Sequence, residues 1–484
     1  MQLLATMRMN GLALSIRVLL LISLGVAIAT AERAKSADSF VDIIGVNGHL
    51  NYPSSVYMNN YHSIILPRAK ELGIRNWRDA LTSSDTVAAR QREMGSHGIR
   101  FNVAMFDLDT NVLLDHLRKV LPVVQAIEGP NELDHGFRNG KPAYPDASTR
   151  IYKGLTFPAI VPAIQNDLHS AIKGNADTRH LTVVMAGFSF PDNVLDVGLV
   201  EGADCGNTHS YPDGGPPLYR LDDWYIPRAR ANVGPSKPLI ATESGYHNAT
   251  GTDVGHWISG VSERGAAKYE TRLFLEYFNR GFIKVYLYEF IDMVPNPTFA
   301  EGAFGLLKSD GTPKVQFRAL KNLIGLLKDP GPAIVPGDLG FSLEGDTSRV
   351  RHTLLQKRDG LFYLILWLND VSYAKTSKSD LDPTRNLRIV FKTPLDSITA
   401  YHPLESTTPI SRSGGAAFLD VKVPDHALIL TLRPKDMKPT PVSILKKSAR
   451  NPGSGKLGKV RLQDQGGRLI DVQGRKAESR GPSK

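Results

Sequence analysis

Two glutamates stand just past apolar runs. Val123–Glu128 leads into Gly129-Pro130-Asn131-Glu132, and Leu239–Glu243 carries Glu243 at its end. Their separation, 243 − 132 = 111 residues, leaves room for several secondary-structure elements between them. Two carboxyl groups brought to one point can share the work of breaking a bond to carbon. One gives a proton to the departing atom, and the other holds negative charge against the positive charge left behind. One must then start protonated and the other ionised, so their surroundings must differ. Other strand-like runs end in groups that can create the difference. Trp77-Arg78-Asp79 offers a cation, which lowers a carboxyl pKa from within about 4–6 Å. His209-Ser210-Tyr211 offers hydrogen bonds that fix a carboxylate rotamer. Tyr288-Glu289-Phe290 closes a further run, and Tyr246 lies in the loop after Glu243.

The elements that must position these groups alternate between short apolar runs and longer helical stretches from Val41 to about Leu307, which predicts an α/β fold with a parallel sheet. The strand candidates are Val41–Gly48, Ile74–Arg78, Ile99–Met105, Val123–Glu128, Leu181–Gly187, Cys205–His209, Leu239–Glu243 and Val285–Phe290. Helices are predicted over Pro53–Leu72, Ser84–His97 and Ser262–Arg280, with Gly73, Gly98 and Gly281 where left-handed caps belong. Eight strand–helix units predict a (β/α)8 TIM barrel over residues 38–330, whose chemistry sits at the C-terminal strand ends. A doubly wound open sheet is the competitor, but no Gly-x-Gly-x-x-Gly turn follows the first strand. After Pro330 helical periodicity stops. Short strand-like runs separated by Gly, Pro, Asn and Asp predict a small antiparallel β-sandwich over residues 335–434.

With Asn131-Glu132 on a fourth strand, His209-x-Tyr211 on a sixth and Glu243 on a seventh, the chain resembles the clan A glycoside hydrolases, retaining enzymes on a TIM barrel. Families 39 and 5 are the nearest. The resemblance covers roughly Val41 to Leu320. It implies Glu132 as general acid/base and Glu243 as nucleophile, an order that the residues alone leave open. Arg78 would keep Glu243 ionised, Tyr211 or His209 would hydrogen-bond it, and Asn131 would donate to a sugar hydroxyl. Trp77, Tyr246, Tyr288 and Phe290 are candidate sugar platforms, and Glu289 either binds a sugar hydroxyl or pairs with an arginine. Each has a plainer alternative: Arg78 paired with Asp79 or with a carboxylate below the site, His209 and Tyr211 as packing residues, the aromatics as core. Glu128, two residues before Pro130, is expected to point elsewhere. A metal-dependent hydrolase would use His209, Glu243, His247 and Asp292, but the first strand lacks the His-x-His of such sites; no metal or other cofactor is expected. A non-catalytic carbohydrate-binding protein of the envelope on the same fold is the alternative reading.

Composition bounds the rest. Of 484 residues 42% are hydrophobic and 22% charged, ordinary globular usage. Cys205 is the single cysteine, which excludes an intramolecular disulfide. The net charge is +10, but residues 435–484 hold 13 Lys and Arg against 4 Asp and Glu, so +9 of it lies in the tail. The body is nearly neutral, and no nucleic-acid partner is expected; the expected partner is a carbohydrate substrate. Residues 1–31 read as a signal peptide: Arg8 and Arg17, an apolar run over Val18–Ala31, and small residues for cleavage after Ala29 or Ala31. An uncleaved anchor is the alternative, and both place the body in the periplasm or outside the cell. The basic tail reads as disordered, with a short hairpin in Lys459–Gly474. It suits attachment to an anionic envelope surface or, more plainly, a solvated end.

Overall fold

The computed structural model describes residues 30–143, 148–250, 258–435, 462–463 and 469–470. All but the last two residues of the predicted signal segment, and nearly all of the basic tail, lie outside them. Within the tail, Leu462–Gln463 pairs antiparallel with Leu469–Ile470, as the hairpin reading requires.

Eight parallel strands form the barrel: β1 (Ile44–Asn47), β2 (Asn76–Ala80), β3 (Arg100–Met105), β4 (Val124–Pro130), β5 (Thr182–Val184), β6 (Gly206–His209), β7 (Leu239–Ser244) and β8 (Phe282–Leu287). Their ladder runs β6-β7-β8-β1-β2-β3-β4-β5. The seam between β5 and β6 is drawn together by the Val184–Cys205 bridge and by hydrogen bonds from Met185 N to Cys205 O (3.1 Å) and Asp204 N to Val183 O (2.8 Å). Ala126, Val184, Cys205, Ile240 and Tyr286 pack as a separate apolar plug inside the strands. Burial there pushes the Cys205 thiol well above its ordinary pKa, so it is an inert packing group.

The helices form where the periodicity places them, with local exceptions. Ser84 caps Asp85–Ser96, and Gly73 and Gly98 take positive φ (78° and 88°) just past their helices. The long predicted helix Pro53–Leu72 divides into Val56–Asn59, a π turn at Tyr61–Ile65 and Leu66–Leu72. Pro67 is the reason: it lacks the N–H that a regular α-turn needs. The same device recurs at Leu221–Tyr225, just ahead of Pro227. Val41 and Asp42, predicted as strand, end a short helix, Ala37–Asp42, capped by Ser36. None of the described helices is long and apolar enough to cross a membrane.

A two-sheet antiparallel sandwich follows. One sheet contains Asp338–Gly345, Thr384–Phe391 and Phe418–Pro424; the other contains Val350–Gln356, Phe362–Leu368, Leu428–Pro434, Leu395–Tyr401 and Ser411–Gly414. Leu354, Phe362, Leu364, Leu366, Ile389 and Leu430 fill the space between them. The sandwich also recruits chain from the other end of the sequence. Thr30–Arg33 adds antiparallel to Asp338–Gly345, and Lys35–Ser36 adds parallel to Val350–Gln356.

Helix Glu263–Asn279 joins the two domains. Ser262 caps it, and it is buried from Gly265 to Phe278. On its sandwich side Lys268 meets Asp382 (2.6 Å) and Asp425 (3.1 Å), Arg272 donates to Ser372 Oγ (2.9 Å), and Glu276 accepts from Trp367 Nε1 (2.8 Å). Buried charges need such partners. Around these charges the interface is apolar: Leu355, Tyr363, Ile365, Trp367, Ala427 and Ile429 of the sandwich share one buried cluster with the barrel.

Candidate active site

The C-terminal ends of β2, β4, β6 and β7 converge on one network. Arg78, on β2, is at its centre and is buried. Its Nε and Nη2 donate to Glu128 Oε2 (2.7 Å) and Oε1 (2.9 Å), while Nη1 donates to Glu243 Oε1 (2.8 Å) and Asn47 Oδ1 (2.8 Å). Nη2 also donates to Asn131 Oδ1 (2.7 Å). A guanidinium only donates, so this contact fixes the Asn131 amide and turns its Nδ2 away from Arg78, available for a hydroxyl. Asp79 is not the partner of Arg78. It accepts from Leu50 N, Trp77 Nε1 and Ala80 N (3.2, 3.0 and 2.8 Å).

Glu128 is a correction to the sequence reading, which sent it elsewhere. It points into the barrel, fully buried, and accepts from Arg78, Asn102 Nδ2 (3.3 Å), Asn207 Nδ2 (3.2 Å) and Thr242 Oγ1 (3.1 Å). Burial opposes its ionisation, but Arg78 and His209 outweigh burial and hold its pKa down at about 2. The missed signal was a polar residue inside each of several apolar strands: Arg78, Asn102, Glu128, Asn207 and Thr242.

Glu243 is brought to the mouth by an irregularity in β7. The register with β6 shifts between Thr208 and His209, and that with β8 shifts between Ala241 and Ser244. Such bulges re-aim side chains. Here consecutive residues both reach the network: Thr242 bonds Glu128, and Glu243 bonds Arg78 and Tyr211. Tyr211 OH donates to Glu243 Oε2 (2.8 Å). Burial pushes the Glu243 pKa up, but the charges of His209 and Arg78 and the Tyr211 bond together bring it below the ordinary carboxyl range.

Glu132 lies in the turn after β4 with φ of 49°, its N–H donating to Gly187 O (3.1 Å). Asp134 pins the turn by accepting from Ser189 N (2.9 Å), Phe190 N (3.0 Å) and Asn193 Nδ2 (3.0 Å). Burial, opposed by His209 and reinforced by the charge of Glu243, moves the Glu132 pKa upward.

His209 takes a different partner from the expected one. Its Nδ1 is 2.7 Å from Glu132 Oε1 and 3.6 Å from Glu243 Oε2, while Nε2 is 3.1 Å from Thr242 Oγ1. Burial alone would lower its pKa, but the surrounding carboxylates raise it to about 10, so it is a cation at neutral pH. Room for its ring depends on Gly187, where an added Cβ would stand 2.3 Å from Nε2.

The aromatic candidates separate. Trp77 is wholly buried and Phe290 packs against it, 5.0 Å between rings, so neither is a platform. Tyr246 is also buried, stacked on Tyr269 and donating to Gly215 O (3.0 Å). Tyr288 alone among them is part-exposed, set edge-on to His49 and Phe304. Glu289 is fully buried. Tyr57 OH donates to its Oε2 (2.8 Å), His49 Nε2 is 3.4 Å from the same oxygen, and its Oε1 has no partner among the described residues. No arginine pairs with it among those residues, and burial pushes its pKa well above the ordinary range.

Of the four metal-ligand candidates only His209 and Glu243 share this site. His247 is 3.1 Å from Ile258 O, and Asp292 accepts from Lys314 (2.7 Å). Glu132, His209 and Glu243 do present ligand atoms within 4.8 Å of one another. The Arg78 cation lies 2.8 Å from Glu243, so a metal ion on that carboxylate would meet like charge.

No family model and no curated protein matches the sequence. Solved structures do match the fold. A family 39 glycoside hydrolase from Bacteroides cellulosilyticus superposes with a TM-score of 0.52 at 14% identity, covering 82% of each chain. A glucosidase from Croceicoccus marinus gives 0.51 at 11% identity, covering 84% of this chain and 98% of that one. At such identities the likeness concerns the fold: a TIM barrel followed by a β-sandwich.

Proposed function

We propose that this protein is an exported retaining glycoside hydrolase with Glu132 as acid/base and Glu243 as nucleophile. One observation carries the reading. Glu132 and Glu243 present carboxyl oxygens within 4.8 Å of each other, and their surroundings push the two pKa values apart. Retaining enzymes space their carboxyls about 5–5.5 Å apart, inverting ones about 6.5–9.5 Å. The fold shared with two glycosidases supports the same reading.

In the first step the ionised Glu243 attacks the anomeric carbon. The glycosidic C–O bond breaks, and the Glu132 proton passes to the departing oxygen. Glu132 is then a carboxylate beside the His209 cation, which stabilises it. In the second step Glu132 takes a proton from water, the oxygen attacks the same carbon, and the Glu243 carboxylate leaves. Asn131 Nδ2 would meet a sugar hydroxyl, and Tyr288 would meet a ring face. Export rests on the apolar N-terminal segment. Cleavage after Ala29 would leave strand Thr30–Arg33 whole, whereas cleavage after Ala31 would remove two of its four paired residues.

Hydrolysis of a panel of aryl glycosides and polysaccharides by wild type, Glu132→Gln and Glu243→Gln tests the proposal. Cleavage by wild type that falls at least ~100-fold in both variants supports it. Cleavage that survives both substitutions overturns it, and binding of a glycan without cleavage favours the carbohydrate-binding alternative.

A further inference from the structure

A second cleft opens at the same end of the barrel, outside the carboxylate network. It is shallow and open to solvent, with a volume of about 460 Å³. Thr82 and Ser83 after β2, Phe106 and Asp107 after β3, His116 and Arg150 line it. It adjoins the catalytic turn. Met105, the last residue of β3, pairs with Pro130, the last of β4, so Phe106 leaves β3 at the level where the chain turns toward Asn131 and Glu132.

Two features of this cleft are unexplained by packing. Phe106 is 43% exposed although it directly follows a buried strand. Arg150 carries a buried Nη1 with no partner among the described residues. Other arginines of this chain are satisfied: Arg75 by Asp38, Arg228 by Asp192, Arg280 by Asp222, Arg358 by Asp329, and Arg272 by carbonyls and Ser372. A buried guanidinium nitrogen without an acceptor is costly, and a ligand oxygen would relieve that cost. Asp107, another lining residue, already accepts from Asp109 N (2.9 Å) and forms no ion pair with Arg150.

We propose that this cleft is a subsite for an acidic sugar, with Arg150 pairing the sugar carboxylate and Phe106 meeting its C–H face. An arginine fork matches a carboxylate bidentately. This deepens the glycosidase reading and rests on it: the substrate would be a glycan carrying a uronate next to the unit that is cleaved.

Binding of sodium glucuronate and of glucose to full-length protein, followed by ligand-observed NMR, tests the subsite without requiring turnover. Glucuronate is expected to bind at least about tenfold more tightly than glucose. Arg150→Gln should erase the preference, Arg150→Lys should keep part of it, and Phe106→Ala should weaken both sugars. Melting curves of each variant exclude a folding defect. Equal binding of the two sugars by wild type overturns the proposal. So does a preference that persists in Arg150→Gln, or one that depends on Glu243→Gln instead. A protein that cleaves aryl glycosides but shows no Arg150-dependent preference would retain the catalytic reading and lose this one.

Discussion

His209 places Nδ1 2.7 Å from Oε1 of Glu132, so the residue assigned to carry a proton sits against a cation. The pairing suits a group that must be acid in one step and base in the next. The His209 cation also reaches Glu243, so it lowers both carboxyl pKa values. Activity needs Glu132 protonated and is lost as pH rises through its pKa. It also needs Glu243 ionised and is lost as pH falls through its pKa. Removing the cation in His209→Gln should raise both values and move the whole kcat/KM profile to higher pH. A profile that keeps its position would show that His209 is not charged in the site.

Tyr211 hydrogen-bonds Glu243. Tyr211→Phe removes one hydrogen bond to a charged acceptor, worth about 1.5–3 kcal/mol. The acidic limb should therefore move upward while the basic limb stays, with kcat/KM down roughly 10- to 100-fold near pH 6. Equal movement of both limbs would contradict the assignment.

Arg78 holds the site together as well as tuning it. Arg78→Met would take from the buried Glu128 its main counter-ion, a loss on the order of 3–5 kcal/mol. Urea unfolding at neutral pH should show it. Glu128, lowered to about 2 in the folded protein, contributes stability that is present above the ordinary carboxyl pKa and fades as pH falls toward 2. Wild-type stability should decline through that window, and the variant should lack that part of the decline.

Gly187 is a steric requirement. Gly187→Ala would force the His209 ring to move, since both its Nε2 and its Cε1 crowd the new methyl. A misplacement of this size can cost about 100-fold in rate. The expected result is a large fall in kcat with a melting temperature near that of wild type. Unchanged kcat would mean that the His209 position is not critical.

Much of this was legible in the sequence, for physical reasons that also explain the misses. The barrel was readable because each strand is a short apolar run and each following helix repeats its apolar face. Glu132, Glu243, Arg78 and Tyr211 were readable because chemistry collects at strand ends. Trp77 failed as a platform because side chains alternate along a strand: with Arg78 facing inward, its neighbour must face the helices. Glu128 was missed because its role depends on Arg78, Asn102 and Thr242 from three other strands, which no local pattern reveals. The bulge in β7, which lets Thr242 and Glu243 serve one site, is likewise set by pairing between strands. The recruitment of Thr30–Ser36 into the sandwich joins chain segments about 300 residues apart.

The most direct test of the Glu132–Glu243 pair is azide rescue of Glu132→Ala and Glu243→Ala on an activated aryl glycoside, with the product anomer read by NMR. With Glu132 removed, azide should attack the glycosyl–Glu243 ester in place of water and give a glycosyl azide of retained configuration. With Glu243 removed, azide should enter from the vacated face and give the inverted anomer. The same anomer from both variants, or wild-type hydrolysis by either without azide, would contradict the account.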